Sequence, residues 1–380
     1  MYYQHQTGAD SGFPLLDVGD ILVGMRTGRA DLPLHSGKAP AWLFGRMKLL
    51  AREMSIAIVQ EEGPHGLLDR LSDPFWFQAF GCVLGFDWHS SGVTTTVCGA
   101  LKEGLRDAFD DTGVIVTGGK GKTSRRAPDE IATGSARLGL DPEPLIRASK
   151  LSAKVDSAAV QDGFQVYQHT FLFTADGSWS VIQQGMNDQT GWARRYHWLD
   201  APTFVSDPHQ AVAGEAKGAV LNLVANEADG NRAVAVELAR EEPKKVTNEI
   251  RKMKTLEMPR HHMLQVADLH PDRLDRILVN AYESQPADYT DLLATRGVGA
   301  KGLRALSLVA ELTYGAKTSA RDPASFSFAH GGKDGTPFPV DRETYDITIE
   351  SLRRVVQEAK AGRTEKQSAL KRLARLQPSG

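Results

Sequence analysis

An alternation of polar and apolar residues over 154–199 constrains the fold more than any other feature of the sequence. Within it, residues 169–187 read HTFLFTADGSWSVIQQGMN and place Asp176-Gly177 between two β-rich runs. Asp-Gly between alternating residues is a strong local signal for a β-hairpin. Because neighbouring side chains of a strand point to opposite faces, the alternation also indicates a sheet with two distinct faces. The segment therefore predicts an antiparallel sheet in the middle of the chain.

Helical patterns flank this segment on both sides. After Pro40, apolar residues such as Met47, Leu50 and Met54 recur at helical spacing, and Gly63-Pro64 predicts the end of that helix. A basic helix is predicted after Pro243, and helical patterns continue beyond it. A chain of 380 residues is long enough for two domains. We therefore predict an α+β protein, with a mixed α/β domain over 20–260 that contains the antiparallel sheet and an all-α domain over 261–380.

Composition limits the classes of partner. The net charge is −2, so a nucleic-acid surface has to be a local patch and not a property of the whole molecule. No apolar run approaches the length of a membrane span, and the first residues lack the apolar core of a signal peptide. Cys82 and Cys98 lack C-x-x-C spacing and indicate buried thiols in a reducing compartment. These features predict a cytoplasmic protein without a membrane partner.

The sharpest functional signal lies at 289–312, YTDLLATRGVGAKGLRALSLVAEL. It resembles the helix-hairpin-helix motif of DNA repair proteins, in which a glycine–apolar–glycine turn joins two helices. Glycines allow close approach of the backbone to a phosphate, and the amides at the start of the second helix point at the anion. Such contacts hold the DNA backbone without reading its sequence. We therefore predict DNA contacts at Gly297, Val298, Gly299, Lys301 and Arg304; a plain helical hairpin is the alternative.

A second glycine-rich stretch, VIVTGGKGKTSRR at 114–126, also suggests phosphate binding. Gly121, Lys122 and Thr123 match the second half of the P-loop pattern, but Val116 occupies the place of its first glycine. Pro128 argues against a helix directly after the turn, which a P-loop needs. We therefore predict contacts with a nucleic-acid strand and not with ATP, through Lys120, Lys122, Thr123, Arg125 and Arg126. A solvated mobile loop is the alternative.

Two clusters in the β-rich segment are candidates for catalysis. In the first, the carboxylates of Asp156 and Asp162 would hold Mg²⁺ or Mn²⁺ beside His169, and the metal would activate water against a phosphodiester. The alternative is that both aspartates are turn or cap residues.

The second cluster is TGWARRYHWL at 190–199. Here Arg194, Arg195 and His197 would donate to phosphates, and the aromatic residues between them would stack on unpaired bases. The alternative is that the two arginines have a solvated or structural role.

Five segments together resemble one known family. They are similar to the prokaryotic family called domain of unknown function seven-six-three, and the similarity extends from about residue 24 to 360; the segments are 27–44, 117–131, 156–173, 183–199 and 327–346. The resemblance implies a two-part protein with a helix-hairpin-helix end and suggests DNA processing.

Three functions remain open from the sequence. The first is a metal-dependent nuclease that acts on single-stranded or branched DNA in repair or processing, and the second is a DNA-binding factor without catalysis. The third is a helix-hairpin-helix DNA glycosylase, in which Asp341 would be the catalytic aspartate. Asp341 lies much further beyond the hairpin than in that family, and it could equally be the N-cap of the following helix.

Overall fold

The computed structural model describes residues 39–86, 91–214, 220–253 and 271–324, together with 350, 352–357, 366–367 and 369–371. The first helices are α1 (Ala41–Ser72), α2 (Pro74–Leu84), α3 (Gly92–Gly104) and the short α4 (Phe109–Thr112). Gly63 interrupts α1 with φ 75°, at the position where the sequence predicts a break. Asp73 caps α2, because its carboxylate accepts from the backbone N–H of Phe75 at 2.7 Å.

A five-stranded antiparallel sheet follows, as the alternating segment predicts. Its strands are β1 (Val114–Lys120), β3 (Gln165–Thr174), β4 (Trp179–Asn187), β5 (Trp192–Leu199) and β6 (Ala211–Ala213), and they lie side by side in that order. The short strands β2 (Val160–Gln161) and β7 (Leu221–Asn222) form a separate pair. Gly177 has φ 89° in the predicted hairpin between β3 and β4, a conformation that favours glycine.

The turn after β1 differs from its prediction. A 3₁₀ turn (Gly121–Arg126) leads directly into α5 (Ala127–Leu138), so the expectation that no helix follows is wrong. Ala127 is helical, with φ −51° and ψ −45°, although a proline comes next. Pro128 lies in the first turn of α5, where a missing N–H costs no helical hydrogen bond.

Helices cover both faces of the sheet. Side chains of α1, α2 and α3 pack on the face that carries Leu172 and Ile182, and helical residues 352–357 join this core through Leu352, Val355 and Val356. The opposite face carries Phe171, Val181 and Trp198. It is covered by α6 (Glu143–Lys154), α7 (Asp229–Arg240), α8 (Pro243–Met253), α9 (Pro271–Ser284), α10 (Tyr289–Ala294) and α11 (Ala300–Tyr314).

This second core is continuous across the predicted domain boundary at 260. Leu292, Leu303 and Val309 of the C-terminal helices belong to the same apolar cluster as Phe171 and Trp198 of the sheet. A mixed, antiparallel α+β architecture is therefore confirmed, whereas a separate all-α domain over 261–380 stays a prediction. Within the described residues, no helix combines the length and the apolarity needed to cross a membrane.

Candidate functional site: a basic cleft beside helix α6

A cleft of about 920 Å³ opens beside α6, which packs on the sheet face that carries Phe171. The 3₁₀ turn and the start of α5 form one wall, strand β3 contributes to its floor, and α10 forms the other wall. The basic turn lines this cleft, and so do two residues of the first hairpin helix, Leu293 and Ala294. The five hairpin residues predicted to contact phosphate are not among its lining residues. Its lining residues are Ser124, Arg125, Pro128, Asp141, Glu143, Pro144, Ile146, Arg147, Ser149, Lys150, Leu151, Ala153, Lys154, Ser157, Val166, His169, Leu293 and Ala294.

Helix α6 presents a row of cations to the cleft. Arg147, Lys150 and Lys154 lie three and four residues apart, so they share one face of the helix. Arg147 forms an ion pair with Asp291 of α10 at 3.1 Å, whereas Lys150 and Lys154 form no ion pair with another described residue. Partial burial lowers the pKa of Lys154. Four cations face two acidic residues in the lining, so the cleft favours an anionic ligand.

The predicted basic turn faces solvent, and the end of strand β1 that precedes it is held by hydrogen bonds. Lys120, Lys122, Thr123, Arg125 and Arg126 are all exposed, and Arg125 lines the cleft. These hydrogen bonds are formed by Gly118: its N–H donates to Glu130 at 2.8 Å, and its carbonyl accepts from Lys102 at 2.7 Å. The Nζ atom of Lys120 lies 5.6 Å from the centre of the Tyr167 ring. The turn thus presents several cations from a well-held strand end.

The glycine hairpin lies just beyond the cleft wall, between α10 and α11. Gly297 has φ 88°, so its backbone conformation favours glycine, and an added Cβ would displace the Asn280 side-chain amide, which lies 2.8 Å away. Gly299 has φ −131° and open space around it, so its backbone conformation does not require glycine. Val298 is buried in the core and Lys301 is exposed. Arg304 donates to the side chain of Gln161, which ties it to the fold.

A chain of four buried polar side chains begins at the floor of the cleft. The hydroxyl of Ser149 on α6 lies 2.8 Å from Nε2 of His169 on β3. Nδ1 of His169 lies 2.8 Å from the carbonyl oxygen of Gln183 on β4, its direct cross-strand neighbour. The amide nitrogen of Gln183 donates to Asp156 at 2.5 Å. Ser149 and His169 line the cleft, and the other two lie behind them.

Asp156 determines which atom is the donor in each hydrogen bond of this series. A carboxylate only accepts, so the amide nitrogen of Gln183 faces Asp156 and its oxygen faces His169. His169 therefore carries its proton on Nδ1, and its Nε2 accepts from the Ser149 hydroxyl. Burial lowers the pKa of His169, which keeps the imidazole neutral as this pattern requires.

Asp156 itself is enclosed by donors. It is 0 % exposed and lies in a π-helical turn, Val155–Ala159, that continues α6. Besides Gln183, its oxygens accept from Trp198 Nε1 at 3.0 Å and from His209 Nε2 at 2.5 Å. Single π-helical turns within α-helices are frequent at functional sites. Here the turn places Asp156 against the sheet face that carries Trp198.

Asp162 has a different environment from Asp156. Its carboxylate accepts from Arg194 at 2.7 Å and from the Tyr196 hydroxyl at 2.8 Å, and its side chain is completely buried. Burial raises the pKa of Asp162, and the adjacent guanidinium opposes that shift. Burial of the Arg194 guanidinium acts to lower its pKa, but the neighbouring Asp162 carboxylate outweighs burial, and the pKa of Arg194 is raised. Asp322 completes the group at 3.0 Å from Arg194.

The predicted DNA-contacting residues of β5 lie in the core and not on a surface. Arg194, Arg195 and His197 are each 0 % exposed, so their side chains do not present the phosphate-binding face that the sequence predicts. Arg195 lies 4.6 Å from the ring centre of Phe77, and burial lowers its pKa to about 9. Because helices cover both faces of the sheet, polar residues of the alternating pattern are enclosed along with the apolar ones.

His197 makes the stability of the fold sensitive to acid. Burial and the charge of Arg195 depress its pKa well below the usual value, and its Nδ1 donates to the carbonyl of Leu71 at 3.1 Å. A histidine with a depressed folded-state pKa stabilises the fold above its unfolded pKa, near 6.5, and this contribution is lost as the pH falls below that value. We expect His197 to cost about 1.4 kcal/mol of unfolding free energy between pH 7.5 and 5.5.

Denaturant titration at both pH values checks this expectation. His197→Gln keeps a donor for Leu71 without a titrating group, so it should reduce the pH difference by about 1.4 kcal/mol. His65→Gln is the control, because the His65 side chain is 57 % exposed. An unchanged pH difference in His197→Gln would show that another group causes the acid sensitivity.

The two aspartates predicted as metal ligands do not share a site. Across the ranges that the structure describes, no group of three or more His, Cys, Asp and Glu side chains is arranged to hold a metal ion. Asp156 and Asp162 bind different sets of donors, and neither lines the cleft. The Mg²⁺ or Mn²⁺ site therefore stays a prediction that these contacts do not support. Asp341 lies outside the described residues.

Two features of the cleft were not identified from the sequence. Ser149 lies in LIRASKLSAK, which matches no catalytic motif, so only its contact with His169 identifies it. The basic face of α6 was visible, because Arg147, Lys150 and Lys154 recur at helical spacing. Both cysteines are buried, as predicted.

One protein family matches the chain. The family described as "Protein of unknown function (DUF763)" covers residues 28–340, which includes the sheet, helix α6 and the glycine hairpin. No curated protein and no solved structure matches the chain. Because the match spans most of the sequence, the chain belongs to the DUF763 family.

Proposed function

We propose that this protein binds DNA through the basic cleft, with the phosphate backbone of one strand lying along α6. The observation that carries the proposal is the convergence of the basic turn, the cationic face of α6 and the first hairpin helix on one cleft. Lysine and arginine neutralise phosphates and release the counterions around them, which drives sequence-independent binding. The hairpin is close enough to add phosphate contacts, because Gly297 follows the wall residue Ala294 after two residues.

The size and lining of the cleft favour a single strand. A space of about 920 Å³ has the size of a small-ligand site and accepts a nucleotide or a short single-stranded segment. Apolar side chains such as Ile146, Val166 and Leu293 alternate with the cations in the lining. Apolar walls with a few charged groups are typical of ligand sites, and they suit the sugars and faces of unpaired bases.

Two lysines of α6 provide the test. Lys150→Ala with Lys154→Ala should weaken binding of a fluorescent single-stranded oligonucleotide on the order of tenfold, because two charge-assisted phosphate contacts are lost. The slope of log affinity against log salt should fall by about 1.4, at about 0.7 for each contact to a single strand. Fluorescence anisotropy at several salt concentrations measures both quantities.

A matched pair of lysines serves as the control. Lys244 and Lys245 are exposed on α8 and do not line the cleft, so Lys244→Ala with Lys245→Ala removes the same charge elsewhere. If both double variants weaken binding equally, only the net charge matters and the cleft is not the binding site. If neither binds less well than wild type, the cations of α6 have no part in DNA binding.

Nuclease activity is a second candidate function. The contacts of Asp156 and Asp162 offer no support for a shared metal, so a metal-dependent nuclease remains a prediction from the sequence. The pair of Ser149 and His169 in the cleft favours hydrolysis by another route, because a hydroxyl and a neutral imidazole lie within hydrogen-bonding distance where a phosphate would bind.

A further inference from the structure

We infer that Ser149 is a nucleophile activated by His169, and that it attacks a phosphodiester of the bound strand. This inference rests on the proposed function, since the DNA strand in the cleft would be the substrate. The geometry that points to it is the 2.8 Å contact between Ser149 Oγ and His169 Nε2 at the floor of the cleft. A serine that donates to an imidazole is the arrangement that activates a hydroxyl for attack.

The groups behind His169 set the tautomer in which its Nε2 can accept the Ser149 proton. Nucleophilic serines need the histidine nitrogen that faces them to be unprotonated, and a group on the far side of the ring enforces this tautomer. Gln183 occupies that position here, and its own orientation is set by Asp156. A glutamine between histidine and aspartate transmits the preference without placing a charge next to the ring. Gln183 and Asp156 are thus positioning residues for His169.

The cations that line the cleft favour a negatively charged substrate over a neutral ester. Lys150 and Lys154 line the same cleft, but they lie about 100° and 140° around α6 from Ser149. Arg125 lines the cleft from the 3₁₀ turn. Preorganised cations stabilise the charge that gathers on the non-bridging oxygens of a phosphoryl transition state.

The reaction balances with water as the only co-reactant. Ser149 Oγ forms a bond to phosphorus while its proton passes to His169 Nε2. The bond from phosphorus to one nucleoside oxygen breaks, and that oxygen takes the proton from His169. Water then attacks the phosphoserine intermediate and gives a proton to His169, and Ser149 leaves with that proton. The products are one strand end with a phosphate and one with a hydroxyl.

A phosphonylating reagent tests the serine without depending on DNA. A fluorophosphonate probe reacts with activated serines by displacement of fluoride, so wild type should be labelled at Ser149, as located by peptide mass. Ser149→Ala should lose at least tenfold of this labelling, and so should His169→Gln. Ser157→Ala is the control: Ser157 lines the same cleft, but its hydroxyl donates to the Ala153 carbonyl at 2.7 Å, so labelling should stay at the wild-type level.

Incubation with a labelled single-stranded oligonucleotide, without divalent metal, supplies the second readout. Wild type should cleave the strand and form a protein–DNA adduct that survives denaturation; Ser149→Ala should do neither while binding the strand normally. Probe labelling of Ser149 without any DNA binding would support the nucleophile and refute DNA as its substrate. DNA binding by a wild type that neither reacts with the probe nor forms an adduct would overturn the nucleophile and leave the DNA-binding function intact. Unchanged labelling of Ser149→Ala would also overturn it.

Discussion

Replacing Asp162 with alanine is expected to lower the free energy of unfolding by about 3–5 kcal/mol. The reason is the buried Arg194 guanidinium, which has no exposed surface and would lose the carboxylate that lies 2.7 Å away. Tyr196 would lose its acceptor in the same step. Removing one partner of a buried ion pair leaves a charge in a poorly solvated position, and this penalty exceeds the value of the pair itself. Chemical denaturation of wild type and variant measures the difference.

The second acidic neighbour of Arg194 provides the control. Asp322 contacts the same guanidinium at 3.0 Å, but its side chain is 17 % exposed. Water can therefore replace part of its hydrogen bonding to Arg194. We expect Asp322→Ala to cost only about 1–2 kcal/mol. Equal losses from the two variants would mean that burial of Asp162 is not what makes its pair with Arg194 important. A loss below about 1 kcal/mol from Asp162→Ala would contradict the description of Arg194 as a core residue.

The second large effect is expected at Asp156. Asp156→Ala removes the acceptor of three buried donors, from Gln183, Trp198 and His209. Each buried donor without an acceptor costs about 1–3 kcal/mol, so the variant should lose at least about 3 kcal/mol of unfolding free energy. It should also leave Gln183 free to rotate, which removes the preference for the reactive tautomer of His169. Denaturant titration and labelling of Ser149 by the fluorophosphonate probe measure the two consequences.

Asp156→Asn should behave very differently. The indole N–H of Trp198 only donates, so it keeps the oxygen of the introduced amide on the side that it shares with Gln183. The amide nitrogen then faces His209, which can accept in its other tautomer. The hydrogen-bond chain to Ser149 therefore keeps its direction, and probe labelling should stay within a few-fold of wild type. A metal ligand at Asp156 would instead make this variant inactive, because an amide lacks the charge that a divalent ion needs.

Some parts of the fold could be predicted because local residues determine them. Asp176-Gly177 specifies a hairpin through the positive φ at Gly177, and Gly63 breaks α1 for the same reason. The glycine hairpin likewise lies between two helices at the predicted position, with Gly297 in the left-handed region. These features depend on a few neighbouring residues, so the local sequence pattern predicts them.

The environment of β5 could not be predicted in the same way. Alternation indicates that a strand has two distinct faces, but it does not say whether helices cover one face or both. Here α2 and α3 cover the face of Arg195 and His197, and these polar residues find buried partners such as Gln78 and Leu71. Such partners lie more than a hundred residues away in sequence, so no local pattern reveals them. The same limit applies to Ser149 and His169, whose contact exists only in the folded chain.

Hydrogen–deuterium exchange of the full chain with and without a single-stranded oligonucleotide tests most directly whether the basic cleft binds DNA. At low salt, we expect slower exchange in peptides from the 3₁₀ turn, α6 and the hairpin, within 121–154 and 289–304, and no change in peptides from α8 at 243–253. The protection should disappear in Lys150→Ala with Lys154→Ala. Unchanged exchange in 121–154 at an oligonucleotide concentration that saturates binding would contradict the cleft as the DNA site.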